Sequence, residues 1–274
     1  MATAVVTDST AYLPPGLAER HGLIVVPLQI AVGDALHDEN TIPTRDVLRA
    51  PATTSRPAPG RFAAAYEEAA AGGATAIVSV HLAAAMSGTV DAARLAAKDA
   101  PVPVHVVDSG TVGLGLGFAA LSAAATALDG AAPADVAAAA GRRAELTRSL
   151  FYVDTLDHLR RGGRIGAAAT FLGSALMVKP LLVIDDGRIA PLEKVRTSSR
   201  AIARLEELAA STAGDRPVDL GVQHLAAAAR AETLATRLRA RIPNVADIYV
   251  GEVGPVIGAH VGPGMLGVVV APQL

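Results

Sequence analysis

Four short segments carry side chains whose types and spacing suit the binding of an anion. Ser87-Gly88-Thr89 follows a strand-like run and opens a helical one. Small residues there let a ligand approach the backbone, free N–H groups at a helix start favour negative charge, and the serine hydroxyl adds a donor. The same serine equally suits a plain N-cap. Thr53-Thr54-Ser55-Arg56-Pro57 reads as a polar turn ahead of a helix from Gly60, with hydroxyls facing the crevice at the carboxyl ends of strands. As a capped loop it would carry no ligand. His260 sits in Gly258-Ala259-His260-Val261-Gly262-Pro263-Gly264, where glycines leave room for a group to approach. A histidine in apolar surroundings is more commonly a core residue. Arg160-Arg161-Gly162-Gly163-Arg164, with Lys179, Lys194 and Arg196, offers cations suited to carboxylate or phosphate. Solvation at a helix end accounts for Arg160 and Arg161 but poorly for Arg196.

These residues must be held by regular elements, and the chain divides into two rhythms. In the first half, strand-like Thr3–Thr7, Leu23–Val32 (one or two strands), Thr75–Ser79 and Val104–Val107 alternate with helical Pro14–Arg20, Gly60–Ala71, a helix from about Ser87, Gly115–Leu128 and Ala134–Arg148. Such alternation predicts crossover units and a mostly parallel, Rossmann-like sheet with helices on both faces. In the second half, Leu150–Val153 reads as a strand and Thr155–Arg161 as a short helix. Ala167–Val178 reads as a longer helix. Leu181–Ile184 and Ile189–Val195 flank Asp185-Asp186-Gly187, a hairpin signal. Helices over Ser198–Ser211 and Ala226–Arg241 alternate with strands over Val218–Gln223, Ala246–Val250 and Leu266–Val270. The expectation is α/β with two domains, 1–150 and 151–274, the second an α+β layer.

Composition narrows the partners. The chain has 274 residues, 51% apolar but only 3% aromatic, so its core is built from Ala, Val and Leu. A pocket of such residues suits a flexible alkyl chain better than a stacked base. A net charge of −2 without a basic block argues against nucleic acid. No cysteine is present, which excludes disulfides and thiolate metal sites and fits a reducing cytoplasm. Met1–Thr10 lacks a basic stretch and enters a strand directly, reading as no signal peptide. Apolar runs such as Gly117–Leu128 are too short to span a bilayer.

In chain order, Val6-Thr7-Asp8-Ser9, Thr54-Ser55-Arg56-Pro57, Ser87-Gly88-Thr89, Asp108-Ser109, Leu159-Arg160-Arg161-Gly162-Gly163-Arg164-Ile165, Lys179-Pro180, Lys194-Val195-Arg196-Thr197 and His260-Val261-Gly262-Pro263-Gly264 resemble the DegV family. The resemblance spans nearly the whole chain. It implies two domains with a long-chain fatty acid in a tunnel between them and no cofactor or metal. It implies a carboxylate held by Thr54, Ser87, His260 and the Gly88 N–H, and a carrier that is not itself an enzyme. It further implies presentation of the acid to a separate fatty-acid kinase that makes an acyl phosphate, with Arg161, Arg164, Lys194 and Arg196 steadying phosphate or docking the kinase. Transient membrane contact is compatible with such a role. Phe171, Leu172, Leu176 and Met177 are the candidate tunnel wall, or else ordinary core. The arginine at 56 departs from the family pattern, where glutamine is expected.

Three other chemistries compete. A Ser87/His260 lipid ester hydrolase is the main alternative, but Ala85-Met86-Ser87-Gly88-Thr89 lacks the first glycine of a nucleophile elbow and no orienting acid is evident. Gly115-Leu116-Gly117 with Ala120 matches a loose dinucleotide fingerprint, yet Asp135 opens a helix where a strand end is needed. Autonomous phosphotransfer lacks a phosphate-binding loop, and Asp185-Asp186 reads as a turn.

Overall fold

The computed structural model describes residues 2–49, 51–171 and 178–274. The first-half strands are β1 (Thr3–Asp8), β2 (Leu23–Val26), β3 (Gln29–Val32), β4 (Ala35–Asp38), β5 (Ala52–Ser55), β6 (Ala76–His81) and β7 (Val104–Asp108). The second-half strands are β8 (Arg148–Tyr152), β9 (Lys179–Asp185), β10 (Arg188–Val195), β11 (Val218–His224), β12 (Val245–Glu252) and β13 (Leu266–Pro272). The helices are α1 (Leu17–Arg20), α2 (Thr44–Val47), α3 (Pro59–Ala71), α4 (Thr89–Ala97) and α5 (Leu114–Leu128). They continue with α6 (Pro133–Leu146), α7 (Asp157–Arg161), α8 (Ser198–Ala213), α9 (Ala228–Arg241) and α10 (Pro255–Val261).

The first sheet is parallel throughout, in the order β2-β1-β6-β7. On one face Phe62, Ala65, Tyr66 and Ala69 of α3, spaced three and four apart as an amphipathic helix requires, pack with Ala92, Ala93 and Ala96 of α4. Helices α5 and α6 cover the other face. The chain leaves β1 toward one side and β6 toward the other, so a crevice opens at the carboxyl ends of these two strands. Asp8 and His81 stand there, both fully buried. Asp8 accepts from the Thr10 N–H and hydroxyl, the Leu82 N–H (3.0 Å) and His81 Nδ1 (3.1 Å), while His81 Nε2 meets Ser79 Oγ at 2.6 Å. One carboxylate thereby fixes both loops leaving the sheet.

The second sheet is mixed, in the order β10-β9-β8-β13-β11-β12. The hairpin β9–β10 turns at Asp186 and Gly187, both with positive φ (45° and 68°), the geometry its Asp-Gly pair favours. One face packs on α8 and α9 through residues such as Leu205, Leu234 and Leu238. On the other face Leu114 and Phe118 of α5 meet Val269 and Ala271, so a first-half helix is shared by both sheets.

Two expectations change, and one segment that had no assigned element becomes a helix. Residues 53–55 are strand, not turn: β5 pairs antiparallel with β3, and β4-β3-β5 forms a third small sheet. Its alternating, β-branched Ala-Thr-Thr-Ser suits a strand that Pro57 stops. The glycine-rich segment around His260 is a helix, α10, begun by Pro255 and ended at Gly262 with φ 72°. The described part of the expected 167–178 helix is a 3-10 turn over Gly166–Phe171; Leu172, Leu176 and Met177 lie outside the described residues. Gly115 and Gly117 sit inside α5, where a β-carbon on Gly117 would approach Ala11 O to 2.9 Å. They serve close packing, not a phosphate loop.

Removing the Asp8 carboxylate orphans several buried donors at once. Asp8→Ala is expected to lower unfolding free energy by about 3 kcal/mol or more in urea denaturation, the range for breaking a buried polar network.

Candidate functional site

Beyond the carboxyl ends of β1 and β6 lies a cleft bordered by residues of both halves of the chain. Its walls are mainly apolar, with Leu28, Leu82, Phe151, Ile184, Val256 and Met265 among them. Thr54, Arg56, Ser87, Arg164 and His260 border it as well. The structure therefore brings together Thr54 from β5, Ser87 from the loop before α4, and His260 from the last turn of α10.

Thr54 Oγ1 and His260 Nε2 are 2.8 Å apart, a contact between the small antiparallel sheet and the second-half helix. His260 Nδ1 is buried with no hydrogen-bond partner, and a β-carbon on Gly162 would collide with it. A buried N–H without an acceptor is rarer than a bare acceptor. The network thus assigns the proton to Nε2, donated to Thr54, and leaves the threonine's own hydroxyl proton to be given elsewhere. Burial, with Arg164 nearby, pushes the His260 pKa down to about 4, so the ring is neutral near pH 7. His260 acts on the cleft through Thr54.

Ser87 Oγ lies 2.8 Å from Thr89 Oγ1. It is not the N-cap: Gly88 holds that position without a side-chain cap, so the first N–H groups of α4 lack a side-chain partner there. The small residues before Ser87 are pinned rather than loose. The N–H groups of Leu82, Ala83 and Ala84 donate to Asp8, Thr111 O and Asp108, and those of Met86 and Ser87 to Ala83 O. Ser87 and His260 share no hydrogen bond with each other; each is engaged by a threonine.

Behind α10 stands a support absent from the sequence reading. Glu39 is 3% exposed and accepts from Ser9, Tyr12 and the Val256 N–H (2.9 Å), while Tyr12 OH accepts from the Ile257 N–H at 3.2 Å. These bonds tether the start of the helix that carries His260. Burial raises the Glu39 pKa, and burial together with Glu39 raises that of Tyr12.

The basic residues do not form one cluster. Arg161 and Arg164 border an outer pocket with Arg49 and His158, and Thr54 and His260 line both this pocket and the apolar cleft. Arg164 donates to Met86 O (3.3 Å) and Gly162 O (2.8 Å). Lys194 instead lies over the Phe171 ring, 4.5 Å from its centroid, and neither Lys194 nor Arg196 borders the two pockets. Phe171 packs against the buried cluster beside the cleft without lining it. Sequence periodicity could not separate these cases. Pro255 was the available signal for α10; Arg49 and His158 had none.

Among the described residues no group of three or more His, Asp or Glu side chains could hold a metal, and no helix is long and apolar enough to cross a membrane. Fold and site together define an α/β protein of two large sheets and one small one, with a mainly apolar cleft bordered by Thr54, Ser87, His260 and two arginines. The DegV family model matches residues 2–273. A DegV domain-containing protein of Streptomyces coelicolor is 58% identical over 276 residues, covering 98% of each chain. Among solved structures, a DegV family protein from Thermus thermophilus described for fatty acid binding is 32% identical with TM-score 0.93, and covers all of both chains. DegV from Bacillus subtilis, described as a fatty acid binding protein, is 36% identical with TM-score 0.91, again over all of both chains. The chain belongs to the DegV family.

The depressed His260 pKa has a direct consequence. Between the unfolded value of about 6.5 and the folded value of about 4, the unfolded chain holds a proton that the folded chain lacks. Stability from this group is therefore complete above about 6.5 and is lost as pH falls toward about 4. An NMR titration of the histidine ring protons is expected to give His260 a midpoint near 4, and His260→Gln should flatten the acid side of the stability profile in that window.

Proposed function

We propose that the protein is a fatty-acid carrier that buries one acyl chain in the apolar cleft and holds its carboxylate at Thr54, Ser87 and the Gly88 N–H, with His260 behind Thr54. The observation that carries this reading is the Thr54–His260 pair at the polar end of an apolar cleft. A carboxylate removed from water must be hydrogen-bonded, and hydroxyls backed by a neutral imidazole provide such donors. Each buried methylene adds roughly 0.8 kcal/mol before the cost of ordering the chain. The fatty-acid binding described for the Thermus thermophilus and Bacillus subtilis proteins supports the same ligand here.

The finer role is presentation of the acid to a separate fatty-acid kinase for acyl phosphate formation, with no catalysis by this chain. It is supported by the outer pocket, which shares Thr54 and His260 with the cleft and is bordered by Arg161 and Arg164. Lys194 and Arg196 then belong to partner contact rather than to the ligand. This role fits a cytoplasmic protein that meets membranes transiently. The chain works as two units, 1–150 and 151–274. In support of a division close to this point, α6 ends at Leu146, and β8 from Arg148 pairs with the second-half strands β9 and β13, which favours a boundary a few residues before 150.

Native mass spectrometry of the purified protein is expected to detect one fatty acid per chain. If none co-purifies and none can be loaded, the proposal fails. Thr54→Ala and Ser87→Ala should each weaken binding of a saturated long-chain acid by roughly tenfold, the usual worth of a hydrogen bond to a charged group, with thermal stability retained.

A further inference from the structure

Arg56 occupies a place that the neutral groups of the site do not explain. Pro57 favours extended backbone at 56, continuing the course of β5, and Thr54, Ser55 and Arg56 all border the cleft. The guanidinium lies along Gly88: a β-carbon there would be 2.5 Å from Arg56 Nη1 and 3.0 Å from Cδ. Gly88 has φ −73° and ψ 17°, a conformation open to any residue. The absence of a side chain at 88 is thus what lets the arginine lie this close to the backbone.

The two guanidiniums that border the cleft differ in commitment. Arg164 is tied to two backbone carbonyls. Arg56 has no hydrogen bond or ion pair with any described residue, and its head rests beside the residue that follows Ser87. Thr54, Ser87 and the Gly88 N–H are neutral donors, which favour a carboxylate over an alcohol or an ester through stronger hydrogen bonds. A guanidinium adds a charge–charge attraction that only the ionised head group feels.

We propose that Arg56 is the charge-pairing member of the site, meeting the ionised carboxylate of the bound lipid. The chain thereby selects ionised head groups over neutral ones on the same alkyl chain. This rests on the fatty-acid reading above and adds the head-group specificity to it. The pairing is partly exposed, so it responds to ionic strength.

The test is calorimetric titration of the full chain with a saturated long-chain fatty acid and with the primary alcohol of equal length, at low and high salt. It compares the wild type, Arg56→Gln and Arg56→Lys. Arg56→Gln is expected to weaken the acid roughly tenfold, leave the alcohol unchanged and flatten the salt dependence, while Arg56→Lys recovers part of the loss. Equal weakening of acid and alcohol assigns Arg56 to packing and overturns the inference. So does an Arg56→Gln protein indistinguishable from the wild type. Failure of the wild type to bind the acid overturns the parent reading and this inference with it, a result distinct from wild-type binding with an indifferent variant.

Discussion

The hydrogen bond between His260 and Thr54 joins residues 206 positions apart and couples three elements that otherwise belong to separate layers. It needs β5 paired to β3, α10 seated against that small sheet, and Gly162 leaving room for the imidazole. Its direction matters as much as its existence. With the proton on Nε2, the threonine hydroxyl is released from donating to the ring and becomes a donor at the polar end of an apolar cleft. A neutral ring also keeps a second positive charge away from Arg164.

Two buried carboxylates hold this arrangement from behind, each by gathering donors rather than by pairing with a lysine or arginine. Asp8 ties the loops after β1 and β6, so Thr10 and Leu82 reach the cleft from fixed positions. Glu39 ties the start of α10, about one turn before His260. Both satisfy the rule that a buried charge must be fully hydrogen-bonded. They also explain how loops rich in small residues, such as 82–88, can present a side chain with definition. The apolar wall then comes from both halves, Leu28 and Leu82 from the first and Phe151, Val256 and Met265 from the second.

Much of this was legible in the chain because period and punctuation agree there. The parallel sheet followed from β-branched runs alternating with Ala-rich helices, and the β9–β10 hairpin from Asp186-Gly187. What escaped reading depended on tertiary context. Residues 53–55 carry turn-like polarity yet form β5, since the partner strand β3 supplies what local propensity does not. The glycines around His260 masked any regular element there, while Pro255 and Gly262 bracket a helix. Glu39 and Tyr12 gave no local signal, because their role exists only where α10 meets the first-half loops. The basic residues looked like one cluster in sequence, but Arg161 and Arg164 border the outer pocket while Lys194 stacks on Phe171. Arg56 stood out as a departure from the family pattern, and its seat on Gly88 appears only in three dimensions.

The central claim is that the cleft holds an acyl chain with its carboxylate at the Thr54 end. A crystal structure of the protein loaded with a saturated long-chain fatty acid tests it most directly. The account predicts a carboxylate oxygen at about 2.7 Å from Thr54 Oγ1, a second near Ser87, His260 still bonded to Thr54, and the alkyl chain running between Leu82 and Phe151. A lipid bound with its carboxylate away from Thr54, or outside the cleft altogether, would contradict it.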